Sequence, residues 1–315
     1  MRTIGGLRSA TGARPDAART ETISTRSRTL PHQQTGTVAV IGAGTMGHGI
    51  AQVSAMAGYR VTLYDPQPGA VEKGLARIVE NLDKGVERGK VTAEDAAATS
   101  GRLVGADAVK DAVKDAWLVI EAAPEQMEIK ENIFADVYGF APPEAVLATN
   151  TSSLSVTRIA AATGAPERVI GLHFFNPVHI MKLLEVVRGS ETSQATLDAA
   201  LEYARVIGKE PIVVTDTPGF ASSRLGVTIG LEAIRMVEQG VATPADIDKA
   251  MELGYNHPMG PLKLTDLVGL DVRLGIADYL HRELGGDQYA APGLLRRMVA
   301  EGKLGKKSGE GFYKW

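Results

Sequence analysis

Val38-Ala39-Val40-Ile41-Gly42-Ala43-Gly44-Thr45-Met46-Gly47 decides the fold of this chain. Four apolar residues of strand length run straight into G-x-G-x-x-G, and the apolar stretch from Met46 to Ala57 continues as a helix ending near Gly58. A second apolar run, Val61 to Tyr64, ends in Asp65, eighteen residues after Gly47. Three spaced glycines alone say little. Set between a strand and a helix, with an acid closing the next strand, they form the fingerprint of a dinucleotide-binding βαβ unit. Gly42 permits the tight turn, Gly44 lets the backbone approach a pyrophosphate, and Gly47 allows close helix–strand packing. Thr45 and Met46 open the helix whose unpaired N–H groups receive the pyrophosphate. Asp65 is placed to accept hydrogen bonds from a ribose and to repel a 2′-phosphate, so the expected cofactor is NAD rather than NADP.

The fold class follows: α/β, a doubly wound, mostly parallel sheet of the Rossmann type, with a second, all-helical C-terminal domain. Residues 70–100 read as a helical insertion, with Val71, Leu75, Ile78, Val79 and Leu82 at helical spacing and a solvated basic face. Further short apolar runs mark strands at 103–104, 117–120, 145–149, 168–172, 183–187 and 210–214. Glu125 and Lys130 stand at the start of the helix after the 117–120 strand, at the carboxyl end of the sheet. Ligands of open α/β sheets bind in that crevice. The strand at 145–149 delivers Asn150-Thr151-Ser152-Ser153 to the same crevice. Ser152 or Ser153 is expected to cap the helix over 156–163, leaving its neighbour to face a ligand.

The run Val169 to Val187 carries the chemistry. Two strand-like segments flank His173, Asn176 and Pro177, and Glu185 sits inside the second. Pro177 lacks a backbone donor and restricts Asn176, so the chain turns there. If it folds back, His173 meets Glu185, and a histidine held by a buried carboxylate is the minimal general base. The same residues also suit a strand-capping histidine and an acid answering a structural cation.

Thr215 to Phe220 reads as a boundary, giving an NAD-binding domain at 37–216 and a helical domain at 217–315. Leu225, Ile229, Ala233 and Met236 recur on one stripe of a helix over 224–239, and Thr243-Pro244 caps another. A further apolar helix is expected over 262–284. Such a helical tail suits a homodimer interface or a second buried core. Residues 1–36, with Arg2, Arg8, Arg14, Arg19, Arg26 and Arg28 and no apolar periodicity, read as a disordered extension whose composition resembles an organellar transit peptide. The chain has 44% hydrophobic residues, a formal charge of −3 and no cysteine, which excludes disulfides and thiolate chemistry and argues against nucleic acid. No apolar run is long enough to span a bilayer, so no membrane partner and a cytoplasmic location are expected. No histidine pair has metal-ligand spacing, so no metal is expected.

Taken in order, the glycine loop, Asn150-Thr151-Ser152-Ser153, His173-Phe174-Phe175-Asn176-Pro177, Glu185, Asp216-Thr217-Pro218-Gly219-Phe220 and the closing Gly305 to Tyr313 segment closely resemble the 3-hydroxyacyl-CoA dehydrogenases, from about Thr37 to Trp315. The narrower likeness is to the short, single-function 3-hydroxybutyryl-CoA type. The resemblance implies an acyl-CoA substrate, hydride transfer from its C3 carbon to NAD, and His173 taking the C3 hydroxyl proton with Glu185 behind it. It implies that Ser152 and Asn176 bind the substrate oxygen, and that Glu125 and Lys130 contact the cofactor near the nicotinamide ribose, with Asn150 on the same side. Asn81 and Arg88 fall where the family places CoA contacts. Ser223 stands where the family usually carries an asparagine that reaches the site, and a polar contact through water or a shifted substrate is expected of it. The alternatives are a sugar-acid dehydrogenase of the lens-crystallin-like branch and a non-catalytic cofactor-binding relative. Hydroxyisobutyrate-type enzymes would need a lysine between Pro218 and Gly230, and there is none.

Overall fold

A computed structural model describes residues 36–315. The extension expected over residues 1–36 lies, apart from Gly36, outside the described residues.

The chain first alternates strand and helix: β1 (Thr37–Ile41), α1 (Thr45–Met56), β2 (Arg60–Tyr64), α2 (Ala70–Glu87), α3 (Ala93–Ser100) and β3 (Leu103–Gly105). It continues through α4 (Val109–Val113), β4 (Ala116–Glu121), α5 (Met127–Phe140), β5 (Val146–Thr149), α6 (Val156–Ala160) and β6 (Val169–Phe174). Next come β7 (Leu183–Arg188), α7 (Gln194–Val206) and β8 (Glu210–Thr215). The eight strands lie in the order β3-β2-β1-β4-β5-β6-β7-β8, every pair parallel except β6 and β7. Strands covered by helices on both faces must be apolar throughout. Accordingly β5 and β6 are buried at every position. One core layer joins the sheet to α1, α2 and α7 through Val40, Ile50, Ile78 and Tyr203; the other joins it to α5 and α6 through Phe134, Ile159 and Leu147.

Because β1 lies between β2 and β4, the strand order reverses there, and the loops after β1 and β4 open side by side at the carboxyl edge. A Cβ on Gly42 would come within 2.6 Å of the Ala122 carbonyl oxygen, so the glycine is required for these two loops to touch.

After β8 the chain is helical: α8 (Ser222–Glu238), α9 (Pro244–Gly254), α10 (Pro261–Val268), α11 (Leu270–Leu284) and α12 (Gly293–Ala300). Val227, Leu231, Ile234, Leu262, Leu270, Leu280 and Leu295 form its core. Fully burying each such side chain contributes about 1.5–3 kcal/mol.

Two sequence expectations need correction. The helix read over 70–100 is two helices, because the chain turns through Gly89 at φ +63° and Thr92 caps α3 by accepting from the Asp95 N–H. The helix read over 262–284 is also two, parted at Gly269, whose φ of +103° cannot continue a right-handed helix. On α8 the expected stripe is divided between surface and core: Leu225 is 64% exposed and Ile229 39%, while Ala233 is buried.

Candidate active site

The antiparallel pairing of β6 with β7 does the decisive work. Its register sets His173 directly across from Glu185. Cross-strand partners stand about 4.5–5.5 Å apart at Cβ, within reach of side-chain bonding. His173 Nδ1 lies 2.6 Å from Glu185 Oε2, with the two residues 5% and 0% exposed. With Nδ1–H donating to the carboxylate, Nε2 is the ring nitrogen left to accept a proton. The rings of Phe175 and Phe220 flank the imidazole at centroid distances of 4.5 and 5.9 Å.

A carboxylate with no solvent needs donors, and Glu185 has four. Besides His173, the Ser222 N–H donates to Oε1 at 2.8 Å, the Ala221 N–H to Oε1 at 3.2 Å, and the Ser222 hydroxyl to Oε2 at 2.7 Å. Burial pushes the Glu185 carboxyl upward, but the bonds from His173 and Ser222 outweigh it and hold the group below its ordinary value. Sequence reasoning missed Ser222. The available signal was a serine opening the long helix after Pro218-Gly219-Phe220, with a buried acid elsewhere still lacking donors.

The Asn150 to Ser153 loop is held from two sides. Glu125 Oε1 accepts from the Thr151 hydroxyl at 2.7 Å, the Ser152 N–H at 2.8 Å and the Ser153 N–H at 3.2 Å. From the helical region, the Ser223 hydroxyl donates to the Ser152 carbonyl at 3.1 Å. Ser223 thus reaches the loop directly. Asn150 is buried, and its side-chain oxygen accepts from the Phe174 N–H at 3.0 Å, linking the end of β5 to the strand bearing His173. The expected cap on α6 is neither Ser152 nor Ser153; Ser155 accepts from the Arg158 N–H, which leaves the Ser152 side chain uncommitted to capping.

Lys130 lies beneath the crevice rather than in it. It is 1% exposed, and its ammonium sits 2.7 Å from Glu121 Oε1 and 3.5 Å from Glu125 Oε2. Glu121, another residue sequence reasoning left without a role, also accepts from the Thr149 hydroxyl and the Ala123 N–H. This chain of bonds carries order from β4 through Glu125 to Ser152. Asn176 is exposed in the turn after β6, where the Asn176–Pro177 peptide is cis. Asn81 donates to Gln52 at 3.2 Å, and Arg88 is exposed at the end of α2; among the described residues no hydrogen bond joins either to the His173 cluster.

At the other end of the crevice, Gly44 is exposed and a Cβ built on it meets nothing within 4 Å, whereas one on Gly47 would collide with the Gly42 oxygen at 1.7 Å. The first turn of α1, with Thr45 and Met46, has no side-chain cap and no acid. Its first N–H groups thus take no side-chain cap at the positive end of a helix, beside the exposed Gly44, which suits an anion. Asp65 accepts from the Ala43 N–H at 2.8 Å and the Gln67 N–H at 2.9 Å, beside a cleft of about 420 Å³ bounded by Pro66, Gly69, Leu75 and Ala106. An anionic dinucleotide fits this arrangement. Among the described residues no group of three or more His, Cys, Asp or Glu could hold a metal ion, and no helix is long and apolar enough to cross a membrane.

Residues 37–217 match the family model of the 3-hydroxyacyl-CoA dehydrogenase NAD binding domain, and residues 219–315 match that of its C-terminal domain. The probable 3-hydroxybutyryl-CoA dehydrogenase of Bacillus subtilis is 46% identical over 276 residues, covering 88% of this chain and 96% of that protein. The crystal structure of Mycobacterium tuberculosis FadB2 superposes with a TM-score of 0.86 at 46% identity, covering 90% of this chain and 99% of that one. The (S)-3-hydroxybutyryl-CoA dehydrogenase PaaH1 of Ralstonia eutropha also gives 0.86, at 41% identity over 89% of this chain and 98% of that one.

Proposed function

This chain belongs to the 3-hydroxyacyl-CoA dehydrogenase family, and we propose that it interconverts a short-chain L-3-hydroxyacyl-CoA, such as 3-hydroxybutyryl-CoA, and its 3-keto ester with His173 as general base. It is an NAD-dependent oxidoreductase. The observation that carries the mechanistic reading is the His173–Glu185 contact of 2.6 Å, inside a strand pair that ends at the crevice.

Bound NAD supplies the hydride acceptor at C4 of its nicotinamide. Gly42, Gly44, Thr45, Met46 and Gly47 hold its pyrophosphate, and Asp65 its adenosine ribose. Glu125 and Asn150 shape the nicotinamide end, while Lys130 acts there by fixing Glu125. During oxidation His173 Nε2 takes the C3 hydroxyl proton as hydride leaves C3. The resulting imidazolium is stabilised by Glu185, which already carries its charge in the resting site. Ser152 and Asn176 bind the substrate oxygen. Ser223 steadies the Ser152 loop through its carbonyl and takes the place of a longer side chain at the cleft. Asn81 and Arg88 belong to the region offered for CoA contacts. In reduction each step reverses, and His173 donates the proton.

We read the chain as two functional domains, 37–216 with the helical insertion at 70–100 and 217–315. The exposed apolar side chains Leu225, Ile229, Val268 and Val272 of the helical domain suit a homodimer. The discriminating assay is NADH oxidation with acetoacetyl-CoA against longer 3-ketoacyl-CoA esters, with NADPH in parallel. Fastest turnover of acetoacetyl-CoA with NADH is expected. Inertness toward it with good oxidation of gulonate would favour the sugar-acid branch, and a preference for NADPH would contradict the role of Asp65.

A further inference from the structure

Helix α8 sends three donors into Glu185, and one of them depends on the identity of residue 222. The two N–H groups, from Ala221 and Ser222, serve Oε1, and any residue but proline would supply them. The Ser222 hydroxyl instead serves Oε2, at 2.7 Å, and Oε2 is the oxygen that accepts from His173 at 2.6 Å. That oxygen is therefore divided between the imidazole and a side chain from the other domain.

We infer that Ser222 is a positioning residue for the proton transfer at His173, fixing the Glu185 carboxylate and drawing charge from the oxygen that faces the ring. A carboxylate oxygen holding a second donor has less charge to offer the first, so the imidazolium is stabilised less than by an undivided glutamate. The surroundings simplify the expectation. Glu185 is touched by His173 from β6, by uncharged Ala221 and Ser222 from α8, and stands in register with Ile212 of β8. His173 is flanked further by Phe175 and Phe220, neither of which titrates. Removing the hydroxyl should therefore act on one proton, the one shared along His173 and Glu185. This inference rests on the reading of His173 as general base.

The test is the pH dependence of kcat/KM for 3-hydroxybutyryl-CoA oxidation by the full chain, in the parent, Ser222→Ala and Ser222→Thr. In Ser222→Ala the imidazolium is favoured, so the acid limb moves to higher pH by about half a unit to one unit, a roughly three- to tenfold loss of rate on that limb. Ser222→Thr, which retains a hydroxyl, returns the limb to the parent position. Should Ser222→Ala not fold, Ser222→Cys keeps the size with a weaker donor and is expected to shift the limb in the same direction by less. An unmoved limb with a uniform loss of rate shows a packing role only and overturns the inference. So does a Thr variant that shifts as far as Ala. Both outcomes leave the parent active and the functional reading intact, whereas a parent inert toward acetoacetyl-CoA overturns both.

Discussion

Glu185 in the sheet and Asp266 in the helical region are both shut away from water, at 0% and 1% exposure. Each is satisfied by converging donors. Asp266 takes the N–H groups of Phe312 and Tyr313 and the indole N–H of Trp315, all at 2.9 Å. None of these donors titrates, and all come from the C-terminal tail. The tail must pass so close that a Cβ on Gly311 would lie 2.2 Å from Asp266 Oδ1, which accounts for a glycine in the closing segment. Glu185 gives one of its four bonds to an imidazole, which keeps a second ring nitrogen able to exchange a proton. On the proposed reading of His173 as general base, the difference teaches what separates an acid that only holds the fold from one that supports proton transfer: whether one of its donors can exchange a proton with something outside the fold.

The largest effect that sharpens this contrast is on rate. His173→Gln should lower kcat by about 10²–10⁴-fold, the usual contribution of general acid–base catalysis, with NADH binding retained when followed by fluorescence. At Asp266 the effect should move from rate to stability. Asp266→Ala removes the shared acceptor of three part-exposed donors at about 0.5–1.5 kcal/mol each, so a loss of roughly 2–3 kcal/mol is expected in a urea titration, with the folded fraction still turning over substrate. A wild-type midpoint in that variant would break the comparison. Gly311→Ala is smaller, about 1–3 kcal/mol, because the tail can shift to relieve the overlap. The smallest is an acid effect. The folded-state value of Glu185 is lowered, so its stabilising contribution is complete above its unfolded value and is lost as pH falls through the folded one. The stability gap between the parent and Glu185→Gln should therefore narrow on acidification below about pH 4.3. A gap that widened there would reverse the assigned sign.

How much of this could be read from the chain alone follows from how local each cause is. The glycine loop, Asp65 and the strands around it are governed by near neighbours and by a pattern with a fixed spacing, so they were readable. His173 and Glu185 could be paired because one turn at Pro177 joins their strands. The breaks at Gly89 and Gly269 were local as well, but apolar periodicity continues across both and hid them. Ser222 and Asp266 were out of reach for another reason: their partners are brought by the fold from 37 and 46 or more residues away. Lys130 and Glu121 lie only nine residues apart, but the strand-to-helix turn that sets the ammonium against that carboxylate leaves no mark in the apolar periodicity.

The central claim is that a carboxylate behind His173, not merely a polar side chain of the same shape, drives the proton transfer. It is tested most directly by kcat for acetoacetyl-CoA reduction in Glu185→Gln, on protein that still binds NADH. Loss of the charge should lower kcat by roughly 10²–10⁴-fold. Turnover within a fewfold of the parent would contradict the account.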